Sequence, residues 1–357
     1  MPVAPEPTAG GLERRGVIAG GNFIVDTIIS IDDYPREEML ANIIDESPSN
    51  GGGPYNVLRD LAALKSPFPL EAVGLVGDDD NGRWIIDDCA QHGISTDRLR
   101  VVTTAPTSHT HVMTAQTTGR RTFFHHRGAN RLLSPRHFDF AHSSARIFYL
   151  GYLMLLDQLD QRDDTGRTGA SHVLEAAQAA GLTTVVDLVS VEAPDFRATV
   201  AAALPWIDHL IINELEASRF LGRALENDDA SALENAAQQI LADGVRVAVV
   251  IHTPSGAIVA SRREGSHSLG SLDLDPTLFR GANGAGDGFA AGYIHGLHED
   301  LPISERLLLA NCTAAASLSD PSPSAGVRPS AACLQLAERY GLREWGEGAR
   351  PVSARQG

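Results

Sequence analysis

Several things are scarce in this 357-residue chain, and each scarcity removes a class of function. Cysteine occurs three times, at Cys89, Cys312 and Cys333, widely spaced and odd in number. That pattern offers no metal-ligand or redox spacing; it suits core packing in a reducing cytoplasm, where the chain is expected to reside. Basic residues are outnumbered, 29 Lys and Arg against 45 Asp and Glu, for a formal charge of −16. Recognition of nucleic-acid phosphates needs a concentrated basic footprint, and none occurs, so no nucleic-acid partner is expected. The opening MPVAPEPTAGGLERR lacks an apolar run, so neither a secretory signal nor a membrane span is expected there. No internal repeat or low-complexity tract is present.

What is present is ordinary for a globular protein: 43% hydrophobic and 21% charged residues, enough for a sizeable core. Short runs rich in Val and Ile at 16–20, 72–76, 146–150, 183–187, 209–212 and 245–251 read as buried strands. Helix-period segments alternate with them at 57–65, 82–92, 169–180, 214–221 and 230–243. The alternation predicts an α/β fold, a doubly wound and mostly parallel sheet with helices on both faces, over residues 16–345. Residues 1–15 and 346–357 read as loose tails. Segments 24–44 and 108–126 break the pattern, the second as a hairpin turning at 117–120. Neither has the apolar run of a strand covered on both faces, so both are assigned to a small second sheet, a lid over the strand ends.

The chain is organised around 279–297, FRGANGAGDGFAAGYIHGL. Apolar residues at Phe289, Ala290, Tyr293, Ile294 and Leu297 form one stripe of an amphipathic helix beginning near Gly286. A helix start presents unpaired N–H groups and the positive end of the dipole, and side-chain-free residues there let an anion approach the backbone. Asp287 sits where an acid would face that anion. A carboxylate in a first turn is also an ordinary dipole-stabilising choice.

Asn50 to Asn56, NGGGPYN, runs three glycines and a proline into a helix. Bare backbone admits a ligand, and Asn56 offers both a donor and an acceptor; alternatively Asn56 is a helix cap. Asp26, at the root of the lid, could accept two sugar hydroxyls or be simply solvated. Asn213-Glu214-Leu215-Glu216 follows a strand, where open α/β sheets place ligands, and its spacing is equally that of a capping box.

Taken together, Gly51-Gly52-Gly53-Pro54-Tyr55-Asn56, Val73 to Asp79 with Gly82, Asn213 to Glu216 and Gly284-Ala285-Gly286-Asp287 resemble the ribokinase-like, or PfkB, family of carbohydrate and nucleoside kinases. Order and separation match from about Gly16 to Tyr340. The resemblance implies transfer of the ATP γ-phosphoryl group to a sugar hydroxymethyl, with Mg2+. It implies Asp287 as the base, and the Gly284, Ala285 and Gly286 amides as an anion hole. Asp26, Gly52, Gly53 and Asn56, with Asn130 of a matching segment, fall on the substrate side. Asn213, Glu216, Thr253, Gly256, Asn283 and Asn311 fall on the nucleotide side, Glu216 acting on magnesium through water. Two departures stand out. Gly281-Ala282 occupies the family's Asp-Thr position, so a monovalent-cation site is not carried over, and Ile251-His252-Thr253 replaces Thr-x-Gly at the adenine-side turn.

His109 and His111 share one face of a strand, with His125 and His126 across the hairpin. Paired imidazoles can ligate a transition metal, but without a carboxylate or thiol partner they read as lid histidines. One of Phe123 and Phe124 could stack on a sugar or base. The exposed lid edges could pair with a second subunit. An adenosine or other nucleoside kinase, or a non-catalytic sugar- or nucleotide-binding protein, are the alternative functions.

Overall fold

The chain enters through the middle of a sheet as β1 (Val17–Gly21), then leaves it for β2 (Ile24–Ile31) and β3 (Ile43–Gly51) before helix α1 (Gly53–Ala63). It returns as β4 (Leu70–Gly77), crosses through α2 (Asp80–Gln91) to β5 (Ile94–Val102), and leaves again for β6 (Ser108–Ala115) and β7 (Arg121–His126). Regular alternation follows: β8 (Ile147–Leu153), α3 (Asp157–Asp160), α4 (Gly169–Ala179), β9 (Thr183–Leu188), α5 (Phe196–Ala203), β10 (His209–Asn213), α6 (Glu214–Leu221), α7 (Ala230–Ala242) and β11 (Ala248–Thr253). A meander of β12 (Gly256–Ser261) and β13 (Gly265–Gly270) leads to α8 (Ala285–His298), α9 (Ile303–Ser317) and α10 (Ser330–Tyr340). This computed structural model describes residues 14–281 and 283–345. The tails expected at 1–15 and 346–357 lie outside the described residues, apart from Arg14 and Arg15, and so does Ala282.

The main sheet runs β13-β12-β11-β10-β9-β8-β1-β4-β5, parallel from β11 through β5, with β12 and β13 antiparallel at one end. Alternate residues of β1 show why its strands read as apolar runs: Val17 and Ala19 join one core, Ile18 the other. Helices α1, α2 and α8 to α10 build the first core, and α4 to α7 the second. The three cysteines are free and buried in the first.

Edge strands β5 and β13 are among the elements the apolar pattern did not reveal, as are the short helices α3 and α5; only part of each edge strand faces a core. The second sheet has the order β3-β2-β6-β7, with β2 and β6 parallel, so the two excursions from the main fold meet in one structure. Asp32 closes the loop between β2 and β3, its Oδ2 accepting from Asn42 Nδ2 at 2.7 Å and its Oδ1 from the Asn42 amide at 3.0 Å. The register sets Ser49, Asp26, Thr110 and His125 in one row across the four strands.

Candidate active site

A cavity of about 480 Å³ opens where the carboxyl ends of the parallel strands meet the small sheet. Ile24, Asp26, Thr110, Phe123 and His125 of the small sheet line one side. Tyr152, Asp187, Asn213 and His252, at strand ends of the main sheet, with Glu216 in the first turn of α6, line another, and residues 283–287 close the third. Open α/β sheets bind ligands at this end of their strands.

Asp287 stands in the first turn of α8, 5% exposed and on the cavity wall. Its Oδ2 accepts a hydrogen bond from Asn56 Nδ2 at 2.8 Å, and its Oδ1 one from the Tyr152 hydroxyl at 2.5 Å. Asn56 is itself oriented, because its Oδ1 accepts from Asn50 Nδ2 at 2.7 Å, which also donates to Ser324 Oγ at 2.9 Å. Burial pushes the Asp287 carboxyl up from 3.8 to about 6, opposed by the Tyr152 and Asn56 donors.

The glycines next to these residues have different reasons to be glycine. Gly284 caps α8 at φ 77°, and a Cβ there would lie 2.6 Å from Pro323, so backbone and packing account for it. At Gly286 a Cβ would meet nothing nearer than His252 at 3.5 Å. Protein packing leaves that backbone bare without requiring it, and the bareness faces the cavity. In the run 51–53 each glycine makes room for a protein neighbour. A Cβ would lie 2.4 Å from the Asp26 carboxyl at Gly51, 2.3 Å from the Asn22 carbonyl at Gly52, and 2.7 Å from the Tyr152 ring at Gly53. The run therefore seats Asp26 and Tyr152, and of the three only Gly52 reaches the cavity lining. Asn56 lies a turn inside α1, whose cap is Gly52, so its side chain is free of capping duty and reaches Asp287.

Asn213 and Glu216 form a capping box and also line the cavity. Asn213 Oδ1 accepts from the Glu216 amide at 2.9 Å, and Glu216 Oε2 from the Asn213 amide at 3.0 Å. Glu216 Oε1 accepts from Ser190 Oγ at 2.8 Å. Asp187, near the end of β9, was not singled out in the sequence; its only signal was an acid closing the apolar run TTVVD. Burial raises its carboxyl well above the usual range, and Glu216 and then Asp287 raise it further. Burial also raises the Glu216 carboxyl, with Glu214 adding to it. Two buried carboxylates on one cavity wall are a fit for a hard dication that keeps its waters, since each oxygen retains lone-pair capacity.

Asp26 belongs to β2 and is buried against the cavity. Burial lifts its carboxyl to about 7, the Thr110 hydroxyl opposes this, and Asp287 adds to it. Thr110 Oγ1 also meets His125 Nδ1 at 3.0 Å. Burial lowers His125 to about 4, so the ring is neutral at physiological pH, and its buried Nε2 has no protein partner.

Five predicted site residues stand outside the lining. Gly53 backs the Tyr152 ring, and Asn130 donates through Nδ2 to the Phe23 carbonyl at 3.1 Å, fastening the segment after β7 to the start of β2. Thr253 and Gly256 pair at the β11–β12 turn, where the Trp345 ring packs on the bare Gly256 α-carbon. Asn311 of α9 donates to the Gly270 carbonyl at 3.0 Å. Asn283 lines the cavity. His109 and His126 stack with centroids 5.0 Å apart, and neither is on the cavity lining. Among the described residues no group of three or more His, Cys, Asp or Glu side chains is arranged to hold a metal ion.

The chain is similar to the ATP-dependent ribose-1-phosphate kinase of Halopiger xanaduensis, 27% identical over 330 residues that cover 91% of this chain and 99% of the relative. Its fold is that of the Arabidopsis thaliana ribokinase solved with ribose and ATP, with a TM-score of 0.74, 21% identity, and coverage of 90% of this chain and 98% of that one. A putative ribokinase II from E. coli, solved with ATP and Mg2+, superposes with a TM-score of 0.73 at 19% identity, covering 91% of this chain and all of that one. Residues 22–330 match the pfkB family carbohydrate kinase model, and the chain belongs to that family.

Proposed function

We propose that the protein transfers the γ-phosphoryl group of ATP to the hydroxymethyl group of an uncharged sugar. The observation that carries this reading is the Asp287 carboxylate on the cavity wall, beside the bare Gly286 backbone at the start of α8. Asp287 takes the proton of the attacking hydroxyl while the new oxygen–phosphorus bond forms and the bond to ADP breaks. Gly284, Ala285 and Gly286 amides at the helix start offset the charge on the group in transit. Phosphoryl transfer depends on such placement and electrostatics more than on covalent chemistry. Magnesium, when bound, supplies positive charge at the phosphates; Glu216 is the residue to hold it through water, with Asp187 alongside. Asn213 and Asn283 bind on the nucleotide side, which extends past His252 toward Thr253, Gly256 and Asn311.

The acceptor side carries Asp26, Gly52 and Asn56 for hydroxyl recognition. No Lys or Arg lines the cavity among the described residues, while Asp26, Asp187, Glu216 and Asp287 do. Arg121, two residues along β7 from Phe123, stands outside the lining with its guanidinium over the Phe123 ring. A phosphorylated acceptor would bring a dianion to carboxylates without a counter-charge, which favours a neutral one. Here the protein is expected to part from its Halopiger relative. A nucleoside is the second reading, favoured by Phe123 and the neutral His125 beside Ile24 and Leu155, a wall suited to a base. ADP release should be measured with ribose, fructose, 2-keto-3-deoxygluconate, ribose 1-phosphate and nucleosides. Turnover of nucleosides alone removes the sugar assignment, and turnover of ribose 1-phosphate alone removes the neutral acceptor. Asp287→Ala should abolish turnover and leave acceptor binding largely intact; wild-type rates in that variant would refute Asp287 as base.

The small sheet acts as a lid that excludes water on binding. Exposed Met39, Leu40, Ile43 and Ile44 at and before its β3 edge support a homodimer through the lid, to be checked by the mass in solution. Three free buried cysteines favour the cytoplasm, and no described helix is long and apolar enough to cross a membrane.

A further inference from the structure

A carboxylate withdrawn from water tends to become neutral, and a neutral carboxyl accepts no proton. What surrounds Asp287 therefore decides whether it serves as a base. Facing it are Asp26 of β2, Asp60 of α1, Tyr149 of β8 and Asp187 of β9, each acidic and buried. His252 of β11, beside Gly286, is held neutral by burial, down to about 4. Glu216 lies across the cavity, and no Lys or Arg lines it among the described residues. Among the described residues no cationic side chain lines the cavity to keep Asp287 ionised, so within the protein itself the task falls to hydrogen-bond donors.

Two donors reach it, Asn56 on Oδ2 and Tyr152 on Oδ1. The tyrosine makes the shorter contact, 2.5 Å, at the short end of the range for a hydroxyl donating to an anion. It cannot turn elsewhere. The Tyr152 amide donates to Asn22 Oδ1 at 2.7 Å, its ring lies against the bare Gly53 backbone, and burial raises its hydroxyl far above the ordinary phenol range, so it stays a donor.

We propose that Tyr152 is a positioning residue for phosphoryl transfer: its hydroxyl fixes the Asp287 carboxylate and keeps it anionic, leaving lone pairs for the acceptor's proton. The proposal rests on Asp287 being the base. In the step itself the acceptor proton passes to Asp287, the acceptor oxygen bonds to phosphorus, and the phosphorus–oxygen bond to ADP breaks. The Tyr152 proton remains on Tyr152 throughout.

Tyr152→Phe removes the hydroxyl and keeps the ring. The acidic limb of kcat and of kcat/KM should move up by about one pH unit, the scale of a single lost hydrogen bond to a carboxylate. The alkaline plateau should stay within about threefold of wild type and the acceptor KM within about threefold, since only the base's charge and orientation change. A loss of rate equal at every pH, or no change at any pH, would overturn the proposal. Gly53→Ala, whose methyl would push the Tyr152 ring and so draw its hydroxyl away from Asp287, should move the limb in the same direction and guards against a misfolded phenylalanine variant. A readout independent of turnover is the 13C resonance of the Asp287 carboxyl, assigned by its disappearance in Asp287→Asn. Its titration midpoint should rise in Tyr152→Phe, and an unmoved midpoint sinks the tyrosine's role. Absence of kinase activity with every acceptor would sink the functional reading instead, and the resonance would tell the two apart.

Discussion

Asp287→Asn should make the folded protein less sensitive to pH, by an amount that follows from the site. The native state lifts this carboxyl from 3.8 to about 6, so it binds the proton more tightly than the unfolded chain does. Asp287 therefore contributes a stability that is fully present below about 3.8 and is lost as pH rises through about 6. Between pH 5 and pH 8 the wild type should lose about 1.4 kcal/mol on this account, a roughly tenfold change in the folding equilibrium. The asparagine variant has no such proton to lose.

The replacement carries its own cost, since its amide sets a donor against Asn56 Nδ2, which can lower stability by about 1–3 kcal/mol. That cost does not depend on pH and cancels when each protein is compared with itself. Losing the Asp287 charge also lowers the Asp26 carboxyl, which Asp287 helps to raise, and this acts in the same direction. Urea unfolding followed by circular dichroism at pH 5 and pH 8, on both proteins, gives the double difference. If the variant loses as much stability as the wild type over this range, or more, the account of Asp287 as a buried, proton-seeking carboxylate fails.

The two glycines flanking Ala285 should separate packing from chemistry. Gly284→Ala should lose about 1–3 kcal/mol of stability, from its positive φ and the Pro323 clash, as read by thermal unfolding. Gly286→Ala should unfold close to the wild-type temperature yet turn over roughly 100-fold more slowly, because its methyl stands where the transferring group passes; normal turnover would remove the anion hole from this loop. Asp26, lifted to about 7, should bind acceptor hydroxyls better once ionised, so the acceptor KM should fall as pH rises through about 7. Asp26→Asn should raise KM about 10-fold or more and flatten that dependence. An acceptor KM in the variant that still falls across neutral pH would mean another group governs it.

The parts that could be read along the chain are those in which one residue's environment is set by its immediate neighbours. The central strands announced themselves because residues on both of their faces are buried, as Val17, Ile18 and Ala19 show. Strands β5 and β13 did not, since an edge position exposes much of the strand. The loop before α8 was legible because glycines at 284 and 286 make poor helix formers and need another reason. Asn56 looked like a cap only because the start of α1 was placed later than Gly53; shifted into the helix, the same residue had to find a tertiary partner. At 213–216 the spacing is that of a capping box, which the structure shows, and the same two residues also border the cavity.

Tyr152 and Asp187 were beyond such reading, and the reason lies in register. Tyr152 is 135 residues from Asp287, and nothing near it in sequence distinguishes it from other aromatic residues of the core. Its direction is set by the pairing of β1 with β8, in which Gly21 lies opposite Gly151. A Cβ at Gly21 would fall 1.8 Å from the Gly151 carbonyl, so only glycine lets the strands come together there, and the next residue on each strand, Asn22 and Tyr152, are then bonded to one another. A slip of one residue in β8 would turn the tyrosine to the opposite face of the sheet. The Asp287 carboxylate is thus held by a contact whose determinants are two glycines on neighbouring strands and a third, Gly53, that clears space for the ring. Substitution at Gly21 should therefore disturb the pH profile as well as the stability, although Gly21 touches neither Asp287 nor the cavity.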